Sequence, residues 1–287
     1  MGIKNKLYDY GLAAFLLLLC LTVLIPFLYM LAVSFSYPAD SEGGAFFLLP
    51  PRWTFDAYYY LFSTSVFVKV IGNTVYITVV GTILSLIVSV LLAYALSKKT
   101  LPGRRVMMTA IFLTMIFQVG LIPTYLVVKS FGLIDSYWAV MLPVLTNAFT
   151  IMIMKTFFQA LPASLDEAAR IDGAKELRIL LSVVIPMSTP IIATFAIFFM
   201  VDRWNEFFNA IIYLKANKWP IQALLRQMVV VGSSQTGSDA GTEAISQNLG
   251  LNVKMAAILL AMLPIVSTYP FFQKYFEKGA TLGAVKE

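Results

Sequence analysis

The stretch LPASLDEAARIDGA, residues 161–174, carries four charged side chains, Asp166, Glu167, Arg170 and Asp172, between two long apolar runs. Its local chemistry reads as the start and stop of a short helix. Pro162 stands upstream, Ser164 is a candidate N-cap, and Glu167 follows three residues later as the reciprocal partner of a capping box. The helix is therefore expected to start at Leu165. Asp166 and Glu167 fall in its first turn, where carboxylates favour the helix dipole, and Gly173 suits the left-handed position that ends a helix. A helix of about eight residues is too short to be stable alone in water, so this one has to pack on something. Leu165, Ala168, Ala169 and Asp172 fall on one side at helical spacing, and the two alanines permit close approach of another surface. A second helix is expected from about Ala174, carrying Leu177, Leu180 and Leu181 and running to Pro186.

The rest of the chain sets the class. Of 287 residues, 59% are hydrophobic and 13% charged, with a mean hydropathy of +0.81, far more apolar than soluble domains. A spanning helix needs about 20 largely apolar residues, and only helices and closed barrels satisfy the backbone in lipid. The apolar runs are continuous and lack the alternation of barrel strands. An all-α polytopic membrane protein, one domain over 1–287, is the expectation.

Hydropathy gives six spans, at about 10–34, 73–96, 106–128, 137–158, 190–208 and 253–276. The first follows a short basic start, and its apolar core is too long for a signal peptide, so it reads as an uncleaved anchor. Lys4, Lys6, Lys98, Lys99, Arg104, Arg105, Lys155, Arg170, Lys175, Arg178 and the lysines of the C-terminal end fall on one side, thirteen of the 21 Lys and Arg. By the positive-inside rule that side is cytoplasmic, and it holds both termini, the loop 159–189 and the tail 277–287. The segments 35–72 and 209–252 lie outside. The first has Pro50, Pro51 and an aromatic cluster suited to the membrane interface. The second ends in a Gly/Ser-rich portion that reads as a linker or a docking surface.

Several chemistries are excluded by composition. The chain has no histidine and a single cysteine, Cys20, so imidazole catalysis, HExxH zinc sites and cysteine-rich metal sites are all absent. The net charge of +6 is scattered between apolar runs and forms no cluster that would bind nucleic acid. No G-x4-G-K-[ST] phosphate loop is present.

Glu167-Ala168-Ala169, three residues, Gly173, nine residues, then Val183-x-Ile185-Pro186 resembles the EAA loop of ABC importer permeases, EAA-x3-G-x9-I-x-L-P. Val183 stands for Ile and Ile185 for Leu, both conservative. The likeness extends over essentially the whole chain. WNEFFNAIIYL, residues 204–214, is similar to the carbohydrate-uptake, maltose-type branch. The ending YFEKGATLGAVKE, residues 275–287, is similar to permeases for polysaccharide fragments, including pectin-derived and alginate oligosaccharides.

That resemblance implies a type I importer permease fold in the bacterial inner membrane, with the EAA helix as the cytoplasmic coupling helix between the fourth and fifth spans. It implies these partners: a second permease subunit in a heterodimer, two copies of an ABC ATPase carrying ATP and Mg, and an extracytoplasmic solute-binding protein delivering an oligosaccharide. Ser164, Glu167, Ala168, Ala169, Asp172, Gly173 and Pro186 are then the coupling residues. This chain would hold no catalytic residue, metal or cofactor.

For the substrate path, polar groups in apolar helices are the natural choice: Gln118, Asn147, Trp204, Asn205 and Glu206. The competing readings are helix–helix hydrogen bonding for Gln118 and Asn147, and a membrane-edge position for Asp202, Arg203 and Glu206. A permease for amino acids or peptides and an ion-coupled secondary transporter are the alternatives. The second is disfavoured because no charge lies in the middle of a predicted span and no repeat is visible.

Overall fold

Apolar runs of this length fold as helices because a backbone in lipid must satisfy its own hydrogen bonds. The computed structural model describes residues 3–42, 46–117, 119–230 and 250–284, with side chains within 8–41, 46–117, 119–229 and 250–268. In chain order the helices are α1 (Ile3–Ser34), α2 (Pro38–Glu42), α3 (Asp56–Ser63), α4 (Ser65–Ser97), α5 (Arg104–Ile116), α6 (Leu121–Ser130), α7 (Tyr137–Met141) and α8 (Ala148–Gln159). They continue with α9 (Ala163–Ile171), α10 (Glu176–Ile179), α11 (Ile185–Met187), α12 (Thr189–Trp204), α13 (Phe208–Tyr213) and α14 (Ile221–Val230). The last, α15, covers Leu251–Ala284. Among the described residues the only β pairing is an isolated antiparallel bridge, Ser36 with Trp53.

Among the described residues, three helices are long and apolar enough to cross a membrane: Tyr8–Ser34 within α1, the whole of α4, and Leu251–Thr268 within α15. Two bent pairs raise the number to five if each is one span. The structure thus breaks two of the six expected spans and shortens a third. The run 106–128 is two helices, because Phe117 and Gly120 are extended and Pro123 stands in the first turn of α6, where a missing N–H costs nothing. The run 137–158 bends by 53°: Pro143 sits in a 3-10 turn, Leu142–Val144, and Asn147 is extended before α8. The run 190–208 is shorter than expected, since α12 stops at Trp204, and it meets Glu176–Met187 at 84°. A π-helical turn, Leu180–Val184, precedes that bend. Pro264 lies inside α15 without ending it, and the backbone stays helical past 276 through most of the expected tail.

Where the sequence suggests one domain, the chain divides into two units, Met1–Lys69 with Leu224–Pro264, and Val70–Ala223 with Ile265–Glu287. In the first, the end of α1 is turned by aromatic packing. The Phe35 ring contacts Trp53, Phe55 and Tyr58, Ser34 and Tyr58 share a 2.8 Å hydrogen bond, and the Thr54 N–H donates to the Phe35 carbonyl. Arg52 pairs with Asp40 at 2.6 Å and lies over the Tyr37 ring.

The second unit is organised around α4. Val90, Ala93 and Tyr94 of this helix form a core with Met154 and Phe158 of α8, Ile179, Leu180 and Val184, and Phe195 and Phe199 of α12. Nearer its start, Ile77 packs with Val140, Met141, Ala210 and Leu214. In lipid such helices are held by close packing and interhelical hydrogen bonds rather than by expulsion of water. Those bonds are present: Ser89 to Thr146 at 2.7 Å, Tyr137 to Asn73 at 2.8 Å, and the Ile221 N–H to the Thr74 hydroxyl at 2.7 Å.

Candidate functional site

The charged stretch forms α9, but it starts earlier than expected. Pro162 occupies the boundary position and α9 begins at Ala163 with no side-chain cap. Ser164 is therefore already inside the helix, its backbone is no longer in the N-cap conformation, and the capping box with Glu167 does not form. The stop is as expected. Gly173 has φ +76°, its N–H donates to the Arg170 carbonyl at 3.0 Å, and the Ala174 N–H donates to the Ala169 carbonyl at 2.9 Å. These two bonds make a Schellman motif, which requires the left-handed residue.

The chain after Gly173 turns back into the core. Ile179, Leu180 and Val184 are buried there, with Ala169, Ala174, Val183 and Ile185 packed partly against them. Pro186 stands exposed in the first turn of α11, where proline is tolerated. The other side is uncovered. Glu167, Ala168 and Asp172 are exposed, and so are three large apolar side chains, Ile171 at 86%, Leu177 at 63% and Leu181 at 57%. Of the expected small-residue face, only Ala169 packs inward.

A polar cluster that the sequence did not announce ties α9 to the end of α4. Lys98 Nζ donates to Asp166 at 2.7 Å and lies 3.8 Å from Glu176. The Tyr94 hydroxyl donates to Glu176 at 2.7 Å, Lys98 sits 4.7 Å from the Tyr94 ring centroid, and Arg170 pairs with both carboxylates. Burial raises the Asp166 carboxyl, but the hydrogen bond and charge of Lys98, with Arg170, outweigh it and hold it below its ordinary value. The Tyr94 hydroxyl, with Lys98 and Arg170, does the same for Glu176. Their contribution is thus complete above the ordinary carboxylate range and is lost as pH falls through the lowered values. A spin label on Ile171→Cys, in a Cys20→Ser background, is expected to keep constant mobility from about pH 8 to pH 5 and to loosen only in stronger acid. Loosening near neutral pH would contradict this electrostatic account.

The substrate-path candidates separate. Asn147 lies in an open cleft of about 490 Å³ lined also by Thr146, Phe149, Thr150, Phe198 and Asp202. Its side chain accepts from the Thr150 N–H at 2.8 Å, so it also caps α8. Trp204 is buried and presents no open face. Asn205 is exposed, bonded to the Val201 carbonyl and to Gln222. Glu206 accepts both the Asn209 N–H and its side-chain amide at 2.9 Å, which fixes the start of α13. Gln118 lies outside the described residues.

Arg203 corrects the membrane-edge reading. It is 1% exposed, although it lies at the end of α12. Its Nη2 donates to Ser85 at 3.1 Å and to the Val144 carbonyl, its stem lies 3.2 Å from where a Cβ on Gly81 would stand, and Nε and Nη1 have no hydrogen-bond partner. Gly81 and Ser85 are near the middle of α4. A buried cation therefore does exist within the helical layer, holding the break between α7 and α8 against α4.

Comparison with known proteins shows the family. The family described as binding-protein-dependent transport system inner membrane component matches residues 13–281. The chain is 45% identical, over 99% of both sequences, to the polygalacturonan/rhamnogalacturonan transport system permease protein YtcP of Bacillus subtilis. It is 28% identical, over 92% of both, to the trehalose transport system permease protein SugB of Mycobacterium tuberculosis. Among solved structures it is similar to a chain of a bacterial ABC transporter involved in the import of the acidic polysaccharide alginate. The TM-score is 0.87 at 34% identity, covering 96% of this chain and 99% of that one. With its all-α membrane architecture and its EAA stretch folded as an exposed helix, the chain belongs to the family of binding-protein-dependent inner membrane transport components, a non-catalytic permease.

Proposed function

We propose that this permease forms half of a translocation pore for polysaccharide-derived oligosaccharides, of the galacturonan and rhamnogalacturonan type, and is driven by ATPase subunits docked on α9. One observation carries the mechanism: α9, α10 and the π-helical turn that follows expose Glu167, Ile171, Leu177 and Leu181 while the same element sinks Ile179, Leu180 and Val184 into the core. An element built in this way can transmit displacement, because a packed core moves as a unit. The substrate class is supported by the names of the relatives at 45% and 34% identity.

In this reading the chain crosses the membrane six times with both termini cytoplasmic, each broken helix counting as one passage, and α9 faces the cytoplasm. A second permease completes the pore. Two ATPase copies bind ATP and Mg, and an extracytoplasmic binding protein delivers the sugar. Asn147, Asp202 and the aromatic wall of the cleft offer hydrogen-bonding groups beside apolar faces, the combination that sugars require. Uptake of oligogalacturonides into proteoliposomes holding the whole complex is expected to need ATP and the binding protein, and to survive a proton ionophore. Uptake that collapses with the ionophore at constant ATP would favour a secondary transporter instead.

A further inference from the structure

We propose that Tyr94 and Lys98 are positioning residues that clamp the α9–α10 element to α4, so that displacement of the element by the ATPases is passed directly to α4 as well as along the chain into α12. This rests on the reading that α9 is the ATPase-docking helix. Three observations carry it.

The first is how α9 is held: it buries none of its residues, so apolar packing along its length does not fix it. The second is the geometry of what does. Asp166 precedes the Gly173 turn and Glu176 follows it, and both reach the same end of α4, at Lys98 and Tyr94. Those two residues are one helical turn apart and share a face. Attachment on both sides of the turn restrains rotation of the element as well as translation, and Arg170 cross-links the two carboxylates. The third is the space around the clamp. An open cleft of about 580 Å³ lies there, lined among others by Lys98, Gln159, Asp166, Glu167, Arg170 and Met187. The ionic contacts bridge this cleft, and of α9 only Ala169 packs partly against the core. Single exposed ion pairs are weak, whereas a network whose members share partners acts as a unit.

The test uses the assembled complex of permeases, ATPases and binding protein in proteoliposomes, reading sugar transported per ATP hydrolysed. Lys98→Met and Asp166→Asn are each expected to lower that ratio by about three- to thirty-fold, the range for residues that couple two sites. The double variant should be no worse than the poorer single one, Lys98→Arg should stay within about twofold of the native ratio, and the ATPases should co-purify in every case. If both single variants stay within about twofold, or their losses multiply in the double variant, the clamp is wrong while the docking role of α9 stands. If the native chain fails to co-purify with the ATPases, the docking reading fails and the clamp falls with it.

Discussion

Gly173→Pro is expected to abolish ATP-driven transport while leaving the chain inserted in the membrane. Proline is locked near φ −65°, and Gly173 needs +76°. The ring also removes the N–H that closes α9 onto the Arg170 carbonyl. Together these cost about 3 kcal/mol or more, upwards of about a hundredfold in the population of the native turn. The turn sets the direction of the chain between Asp166 and Glu176, so losing it parts the two carboxylates that meet at α4. Gly173→Asn is the matched control, because Asn adopts the left-handed conformation and a Cβ at this position meets nothing within 4 Å. The Asn variant should transport close to normally, and the Pro variant should be inactive although present in the membrane at native levels. An active Pro variant would mean that the turn has no mechanical role.

The second large effect concerns the buried cation. Gly81→Leu is expected to destabilise the permease by about 1–3 kcal/mol, the usual cost of overpacking, because the Arg203 stem already stands at 3.2 Å from the Cβ position. Arg203→Glu should be worse, about 3–5 kcal/mol, since it leaves a carboxylate buried against the Val144 carbonyl in place of a donor. Combining Gly81→Leu with Arg203→Ala removes the collision. Its loss should therefore be smaller than the sum of the single losses by about 0.5–3 kcal/mol. Thermal unfolding of the solubilised protein measures all four variants, and a Gly81→Leu protein that melts like the native one would show that Arg203 does not pack as described.

The features legible in the sequence are those whose causes are local. Gly173 as a helix stop needs only the neighbouring backbone, and the apolar runs need only composition. The start of α9 was missed by two residues because Pro162 and Ser164 both suit a helix entrance, and the structure uses the proline. The breaks in the third and fourth spans coincide with Pro123 and Pro143, and the bend before the fifth lies between Pro186 and Pro190. Hydropathy averages over such residues, and it cannot separate a kinked helix from two short ones.

The misses at the site are non-local. Lys98 and Asp166 are 68 residues apart, and Tyr94 and Glu176 are 82 apart, so nothing in either segment names its partner. Arg203 sits at the end of an apolar run, which is why it read as a membrane-edge charge. A signal did exist on the other helix. Thr74, Thr78, Gly81, Ser85 and Ser89 recur every three or four residues along α4, and all are buried. A stripe of small and polar residues on an apolar helix marks a face against which other elements pack closely. Of the path candidates, Asn147 was placed in a cleft because helix breaks expose polar backbone and attract capping side chains, whereas Trp204 was drawn into the core by its bulk.

The most direct measurement is chemical labelling of Ile171→Cys in a Cys20→Ser background, using a membrane-impermeant maleimide on inside-out vesicles. Ile171 is the most exposed large apolar side chain of the chain's described residues, and it sits on α9 one turn from Glu167. If α9 receives the ATPase, labelling is fast for the permease alone, and slows by about tenfold or more when the ATPase subunits are present, with a further change when ATP closes them. Equal labelling rates with and without the ATPases, at a stoichiometry where they co-purify with the permease, would contradict the assignment of α9 as the docking helix.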